Sequence, residues 1–315
     1  MKSWHNKLTI KRTSTSPYFS SEFNLNERET LSPYVEMLES STLEYTDIFI
    51  TNTHTNFDLF NYEQLEKLKL IIHPNSGYDN IPLDFVKAMK APIIIGSPIR
   101  AQAVSQYIMS ALLNHFSPIP SGNQWDWDRK WPRRILTEVK VLIIGFGHIG
   151  KILNAALTPL VKELVIYDPF ENKTQLDNKQ ADVVILACGL NSKSRHIVDK
   201  SFLNSIKENA LIINAARGEL IKTSDLINFL TANDDAYAVL DVFEKEPNDF
   251  SDFRHLKNVR LTSHIAGVFK NIDQCTINFE FNVLKDFHEM TEFDFKNKYQ
   301  KLILQNKLKV EIGLI

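Results

Sequence analysis

The chain has 315 residues, of which 43% are hydrophobic and 23% charged, the proportions of a globular protein long enough for two domains with substantial cores. A formal net charge of −2 excludes the basic excess of a nucleic-acid surface, and no apolar run reaches the roughly 20 residues that span a bilayer. Two cysteines, Cys188 and Cys275, exclude a disulfide framework and point to a reducing compartment, so a cytoplasmic location is expected, with no metal site.

From Met1 to Ser21 the basic residues Lys2, Lys7, Lys11 and Arg12 occur without an acid, a composition that mimics a transit segment. The alternation of Leu8 and Ile10 reads instead as a strand over Lys7–Lys11. A buried-strand run follows within Leu43–Asn52, then helical spacing over Tyr62–Leu68 and a strand at Leu70-Ile71-Ile72. Strands alternating with helices predict parallel pairing through crossovers, an α/β domain. The turn His73–Ile81 lies at the carboxyl end of a strand, where open α/β sheets bind ligands. There the amides of Ser76 and Gly77 are candidates to hold a small carboxylate. Pro92–Pro98 reads as a strand, and Ala103–Phe116 as a helix with a long apolar stripe. A Pro-rich break then leads to Trp125, Trp127 and Trp131 among Asp126, Asp128, Arg129, Lys130, Arg133 and Arg134. Two acids offset the bases, so this stretch reads as a subunit-interface arm rather than a nucleic-acid site, and a homodimer through residues 101–135 is expected.

Val139–Ile144 is a run of β-formers that leads into Gly145-Phe146-Gly147-His148-Ile149-Gly150, and Lys151–Leu157 reads as a helix. That order is what a dinucleotide needs. Gly145 permits the tight turn, Gly147 lets backbone approach a pyrophosphate, Gly150 lets helix and strand pack closely, and the helix N-terminus offers amides to the phosphates. Further strands are predicted at Glu163–Asp168, Ala181–Leu186, Ala210–Asn214, Ala236–Leu240 and Val259–Thr262, completing a six-stranded doubly wound domain. Asp168 ends the second of these strands, 18 residues after Gly150, where an acid meets the adenosine ribose hydroxyls. Pro169 and Phe170 follow, with no Arg for a 2′-phosphate, so NAD is favoured over NADP. Arg217, Glu246 and His264 fall at carboxyl ends of strands in the same domain, on the side expected to face the cofactor.

Together these stretches resemble the D-isomer-specific 2-hydroxyacid dehydrogenase family. The resemblance rests on Ser76–Asn80, Gly145–Gly150, Asn214-Ala215-Ala216-Arg217-Gly218, Asp241-Val242-Phe243 with Glu246-Pro247, and His264-Ile265-Ala266-Gly267, in order and spacing from about residue 70 to 270. It implies hydride transfer between nicotinamide and a 2-keto or 2-hydroxy acid. Arg217 would bind substrate carboxylate and carbonyl, and His264 would exchange the proton. Glu246 would orient His264 and favour its charged form. Ser76 and Gly77 would anchor the substrate carboxylate, and Asp241 would contact the nicotinamide carboxamide. Cofactor contacts are implied for Gly145, Phe146, Gly147, His148, Ile149, Gly150, Asp168, Ala187, Cys188, Gly189, Ala215, Ala216, Arg217, Asp241, His264 and Gly267.

The implied architecture is two doubly wound parallel-sheet domains. An NAD-binding Rossmann domain, 101–282, is inserted in a flavodoxin-like substrate domain, 1–100 and 283–315, with the substrate cleft between them. A chain ending at Ile315 is expected to lack a regulatory domain. The sequence departs from the family pattern at Asn75, where Gly is frequent, at His73, near which an Arg is usual, and at Ser105-Gln106, usually Ala-Glu. It departs again at Leu186-Ala187-Cys188-Gly189, usually Leu-His-x-Pro. That stretch and Gln106 keep open a different class of function, an NAD-sensing interaction protein on the same scaffold. Formate oxidation is disfavoured by Glu246, since the formate enzymes pair their histidine with Gln.

Overall fold

The computed structural model describes residues 7–16, 19–38, 45–122, 124–131, 133–173 and 180–312. Lys2 of the basic leader, and residues 43 and 44 of the run before the second predicted strand, lie outside them. The chain divides into two compact units, Met1–Arg100 with Val268–Ile315, and Ala101–Gly267. In chain order the elements are β1 (Leu8–Arg12), α1 (Phe23–Leu31), β2 (Val35–Met37), β3 (Ile48–Ile50), β4 (Leu70–His73), α2 (Leu83–Ala88), β5 (Ile93–Ile95) and α3 (Ser97–Phe116). There follow β6 (Lys140–Ile144), α4 (His148–Leu157), β7 (Glu163–Tyr167), β8 (Val183–Leu186), α5 (Lys200–Leu203), β9 (Leu211–Asn214) and α6 (Thr223–Ala232). The chain then runs through β10 (Tyr237–Leu240), β11 (Val259–Leu261), α7 (Ile272–Glu289), α8 (Glu292–Lys298) and α9 (Leu304–Ile312).

The first unit holds a five-stranded parallel sheet in the order β2-β1-β3-β4-β5, the flavodoxin-like arrangement. Its strands are nearly all apolar because both faces are covered. Ile48, Ile50, Leu70 and Ile72 face Val283, Leu284 and Phe287 of α7, while Phe49, Ile71, Ile93 and Ile95 face Phe85 and Leu304. The return to this unit comes at Val268, earlier than the expected 283. The first turn of α7 is already seated on it, with Asp273 Oδ2 accepting from the Ser20 amide at 2.9 Å. Its inward face also includes Thr276 and Glu280, both fully buried, and polar residues there hide the helix from an apolar periodicity.

Two local expectations change. Tyr62–Leu68 is not an α-helix but a single 3₁₀ turn, Tyr62–Leu65, with the Asn61 side chain accepting from the Glu63 amide. The stretch is too short to repay helix nucleation before β4 begins. Pro92–Pro98 splits into the short β5 and the start of α3 at Ser97, with Pro98 in the first turn, where its missing N–H costs no helical bond.

The second unit is a six-stranded parallel sheet ordered β11-β10-β9-β8-β6-β7. Strand residues alternate between two cores. Leu142, Ile144, Val184, Leu186 and Ile212 pack with Phe202, Leu226 and Leu230. Val141, Ile143, Val183, Ile185 and Ile213 pack with Ile108 and Leu112 of α3 and Leu153 and Leu157 of α4. Burying Val141–Ile144 stabilises each by about 1.5–3 kcal/mol, which makes β6 a rigid base for the loop that follows. Because β6 lies between β7 and β8, its carboxyl end is the switch point at which such sheets bind ligands. No helix among the described residues is long and apolar enough to cross a membrane.

Candidate active site

The glycine loop leaves β6 at that switch point. Gly145 adopts φ +109°, and a Cβ there would lie 2.5 Å from the backbone of Ala187 and Cys188. The segment that departs from the family pattern therefore presses directly on the loop, and Ala187 is held there by its amide, which donates to Ile144 O at 2.8 Å. Gly147 differs: a Cβ on it would meet nothing within 4 Å. Packing does not require glycine at 147, whereas a pyrophosphate approaching the backbone would, so the residues present fit a dinucleotide. Gly147 precedes α4, and Gly150, His148 and Ile149 form the first turn of that helix.

Asp168 directly follows β7, with both carboxylate oxygens engaged. Oδ2 accepts from the Phe146 amide at 2.7 Å and Oδ1 from the Phe170 amide at 3.0 Å. The acid expected at the ribose thus also staples the glycine loop to the neighbouring strand. Each oxygen keeps a second lone pair.

Arg217, Glu246 and His264, the residues expected to handle substrate and proton, meet at the carboxyl ends of β9, β10 and β11. His264 Nδ1 lies 2.7 Å from Glu246 Oε2, and Glu246 Oε1 accepts from the Phe243 amide at 2.9 Å. Nε2 of His264 has no hydrogen bond among the described residues, and the side chain is 48% exposed. Burial works to raise the Glu246 carboxyl, but hydrogen bonds from His264 and the Phe243 amide, with the charges of His264 and Arg217, hold it below the usual carboxylate range. Arg217 reaches this edge because Gly218 fits against β10's exit: a Cβ at 218 would lie 1.9 Å from the Phe243 carbonyl carbon. The Asn214 side chain, buried beneath, accepts from the Ala216 amide at 3.1 Å and donates to Arg217 O at 2.8 Å. It fixes the Ala215–Arg217 turn, a role visible in the motif only as an asparagine at a strand end.

Asp241 is the residue that the resemblance places at the nicotinamide carboxamide. It is fully buried, and its carboxylate faces the His264 loop, accepting from Thr262 Oγ1 at 2.6 Å and from the amides of Ile265 and Ala266 at 2.8 Å each. Two of these donors share Oδ1 and one takes Oδ2, which keeps a second lone pair. The loop ends at Gly267, the last residue of this unit.

In the other unit, the amides of Ser76 and Gly77 have no acceptor among the described residues, which leaves them free to receive a carboxylate. Sequence reasoning missed what holds them. His73 is fully buried, with Nε2 2.8 Å from Gly77 O and Nδ1 2.9 Å from Thr51 Oγ1. A carbonyl only accepts, so Nε2 donates, and the turn is fixed to β4 and to the end of β3. Thr51 is distant in sequence, and only the pairing of β3 with β4 reveals the link.

A family model described as D-isomer specific 2-hydroxyacid dehydrogenase, NAD binding domain, matches residues 109–266. The chain is similar to a D-3-phosphoglycerate dehydrogenase of Methanocaldococcus jannaschii, 29% identical over 248 residues that cover 73% of this chain and 47% of that one. It is also similar to an erythronate-4-phosphate dehydrogenase of Wigglesworthia glossinidia brevipalpis, 29% identical over 233 residues, covering 70% of this chain and 58% of the relative. It therefore spans about half the length of these curated relatives. Among solved structures, a D-lactate dehydrogenase from Aquifex aeolicus complexed with NAD and lactic acid shares the fold, with a TM-score of 0.70 and 18% identity, covering 94% of this chain and 98% of that one.

Proposed function

Because the chain belongs to the D-isomer-specific 2-hydroxyacid dehydrogenase family, we propose that it moves a hydride between NAD and C2 of a small D-2-hydroxy or 2-keto acid. The observation that carries this reading is the 2.7 Å pair of His264 Nδ1 and Glu246 Oε2, which leaves Nε2 for a substrate oxygen on the edge that Arg217 shares. NAD, when bound, supplies or accepts the hydride. The chain's own residues do the rest. His264 gives a proton from Nε2 to the carbonyl oxygen as reduction proceeds, and takes it back in oxidation. Glu246 fixes the ring and stabilises its charged form. The Arg217 fork binds the carboxylate and polarises the carbonyl. The Gly147 edge and the start of α4 receive the pyrophosphate, Asp168 takes the ribose hydroxyls, and the Ser76 and Gly77 amides anchor the substrate carboxylate. Asp241 acts by holding the His264 loop.

Phosphoglycerate, glyoxylate and hydroxypyruvate are the substrate types that fit this chemistry, and the named relatives include dehydrogenases of phosphorylated hydroxy acids. The test is a screen of glyoxylate, hydroxypyruvate, pyruvate and phosphohydroxypyruvate with NADH and NADPH in parallel. Turnover with at least one acid, faster with NADH because Asp168 repels a 2′-phosphate, is expected. Nucleotide binding without turnover by any acid would refute the reading and favour a sensing role.

We also propose a homodimer through α3 and the arm after it. Trp125 and Trp127 are 66% and 83% exposed, beside Asp126, Asp128, Arg129 and Lys130. Aromatic surface with both signs of charge suits a second copy of the same face. We propose a cytoplasmic setting from the sparse cysteine content, two in 315 residues.

A further inference from the structure

His264 sits at φ 54°, a left-handed conformation that a residue with a Cβ rarely adopts. Something must over-determine that backbone. Asp241 does so from beneath: its carbonyl accepts from the His264 amide at 2.8 Å, and its carboxylate takes the amides on the other side of the histidine, those of Ile265 and Ala266. The same carboxylate takes Thr262 Oγ1. Two backbone amides point at it, so it serves as an acceptor, and the Thr262 hydroxyl must donate to it. That hydroxyl lies 2.7 Å from Tyr107 Oη. With the Thr262 proton committed to Asp241, Tyr107 is the donor.

The result is a directed chain: Tyr107 to Thr262, Thr262 to Asp241, and Asp241 to the amides that flank His264. Tyr107 lies on α3, far in sequence from every residue assigned a chemical role, and its ring packs at the edge of the α3–sheet core. Burial pushes its phenol up, over the opposing pull of the Thr262 hydrogen bond and Arg260, so the hydroxyl keeps its proton through neutral pH.

We infer that Tyr107 is a positioning residue for His264, acting through Thr262 and Asp241 to hold the left-handed loop. The inference rests on the proposed role of His264 for its kinetic consequence, but its structural part is measurable without turnover. Tyr107→Phe keeps the ring and removes only the hydroxyl, and Thr262→Val removes the middle of the chain while Thr262→Ser preserves it. In the full chain, hydrogen exchange at the His264–Ala266 amides should quicken about ten-fold in Tyr107→Phe, with the melting temperature little changed. With the keto acid that the screen identifies, kcat should fall about ten-fold while KM and the NADH Kd stay within about two-fold. Thr262→Val should match that loss, Thr262→Ser should restore it, and the double variant should be no worse than Thr262→Val alone. Unchanged exchange in Tyr107→Phe, or additive losses in the double variant, would overturn the inference. Quickened exchange in a protein with no turnover would uphold the positioning chain and refute the catalytic reading instead.

Discussion

At the scale of single residues, the proposed chemistry concentrates on the pair His264–Glu246. Glu246 is held ionised by hydrogen bonds and by the charges of His264 and Arg217, so it presents a fixed negative charge to the imidazole. Glu246→Gln keeps an acceptor in place and deletes the charge. The protonated ring then loses its counter-charge, and reduction, which consumes that proton, should fail at a lower pH. The alkaline fall-off of kcat is expected to move to lower pH, and an unmoved profile would contradict the pairing. The placement of Arg217, Glu246 and His264 beyond strand ends was legible in the sequence, because their motifs follow apolar strand runs. The partners of Asp241 were not legible, since two of them are loop amides that no side-chain pattern reports. The contacts of His73 and Tyr107 were not legible, because each is made only when distant segments meet.

At the scale of elements, the strands were the most readable part of the chain. Parallel strands covered on both faces are continuous apolar runs, and β6, β8 and β9 announce themselves as such. Helix α7 was less readable because its inward face carries charge. Glu280, on α7, shares the buried Arg12 guanidinium of β1 with Glu27 of α1. Two carboxylates and one cation leave an excess negative charge out of water. Burial, over the pull of Arg12, and then the charge of Glu27 push the Glu280 carboxyl up from 4.5 to about 8. The folded chain therefore keeps a proton that the unfolded chain releases, and stability declines as pH rises through that window. The melting temperature should be lower at pH 9 than at pH 6, and Glu280→Gln, neutral throughout, should lose much less over the same range. Equal losses in the two proteins, measured by calorimetry, would show that Glu280 is not the group responsible.

At the scale of the whole molecule, the chain is two parallel-sheet units of different strand order, each placing polar residues at the carboxyl ends of its strands. Replacing Trp125 and Trp127 together with Ala should convert a dimer into a monomer by light scattering, while a wild-type monomer would remove the arm's proposed role. Everything else converges on one claim, that His264 hands a proton to a 2-keto acid as NADH is consumed. The most direct measurement is NADH oxidation by the wild type and by His264→Ala, side by side, with the best acid from the screen. The predicted result is turnover in the wild type and a loss of about 10²–10⁴-fold in the variant, with NADH binding retained in both. Equal rates in the two proteins, or none in either despite bound NADH, would contradict it.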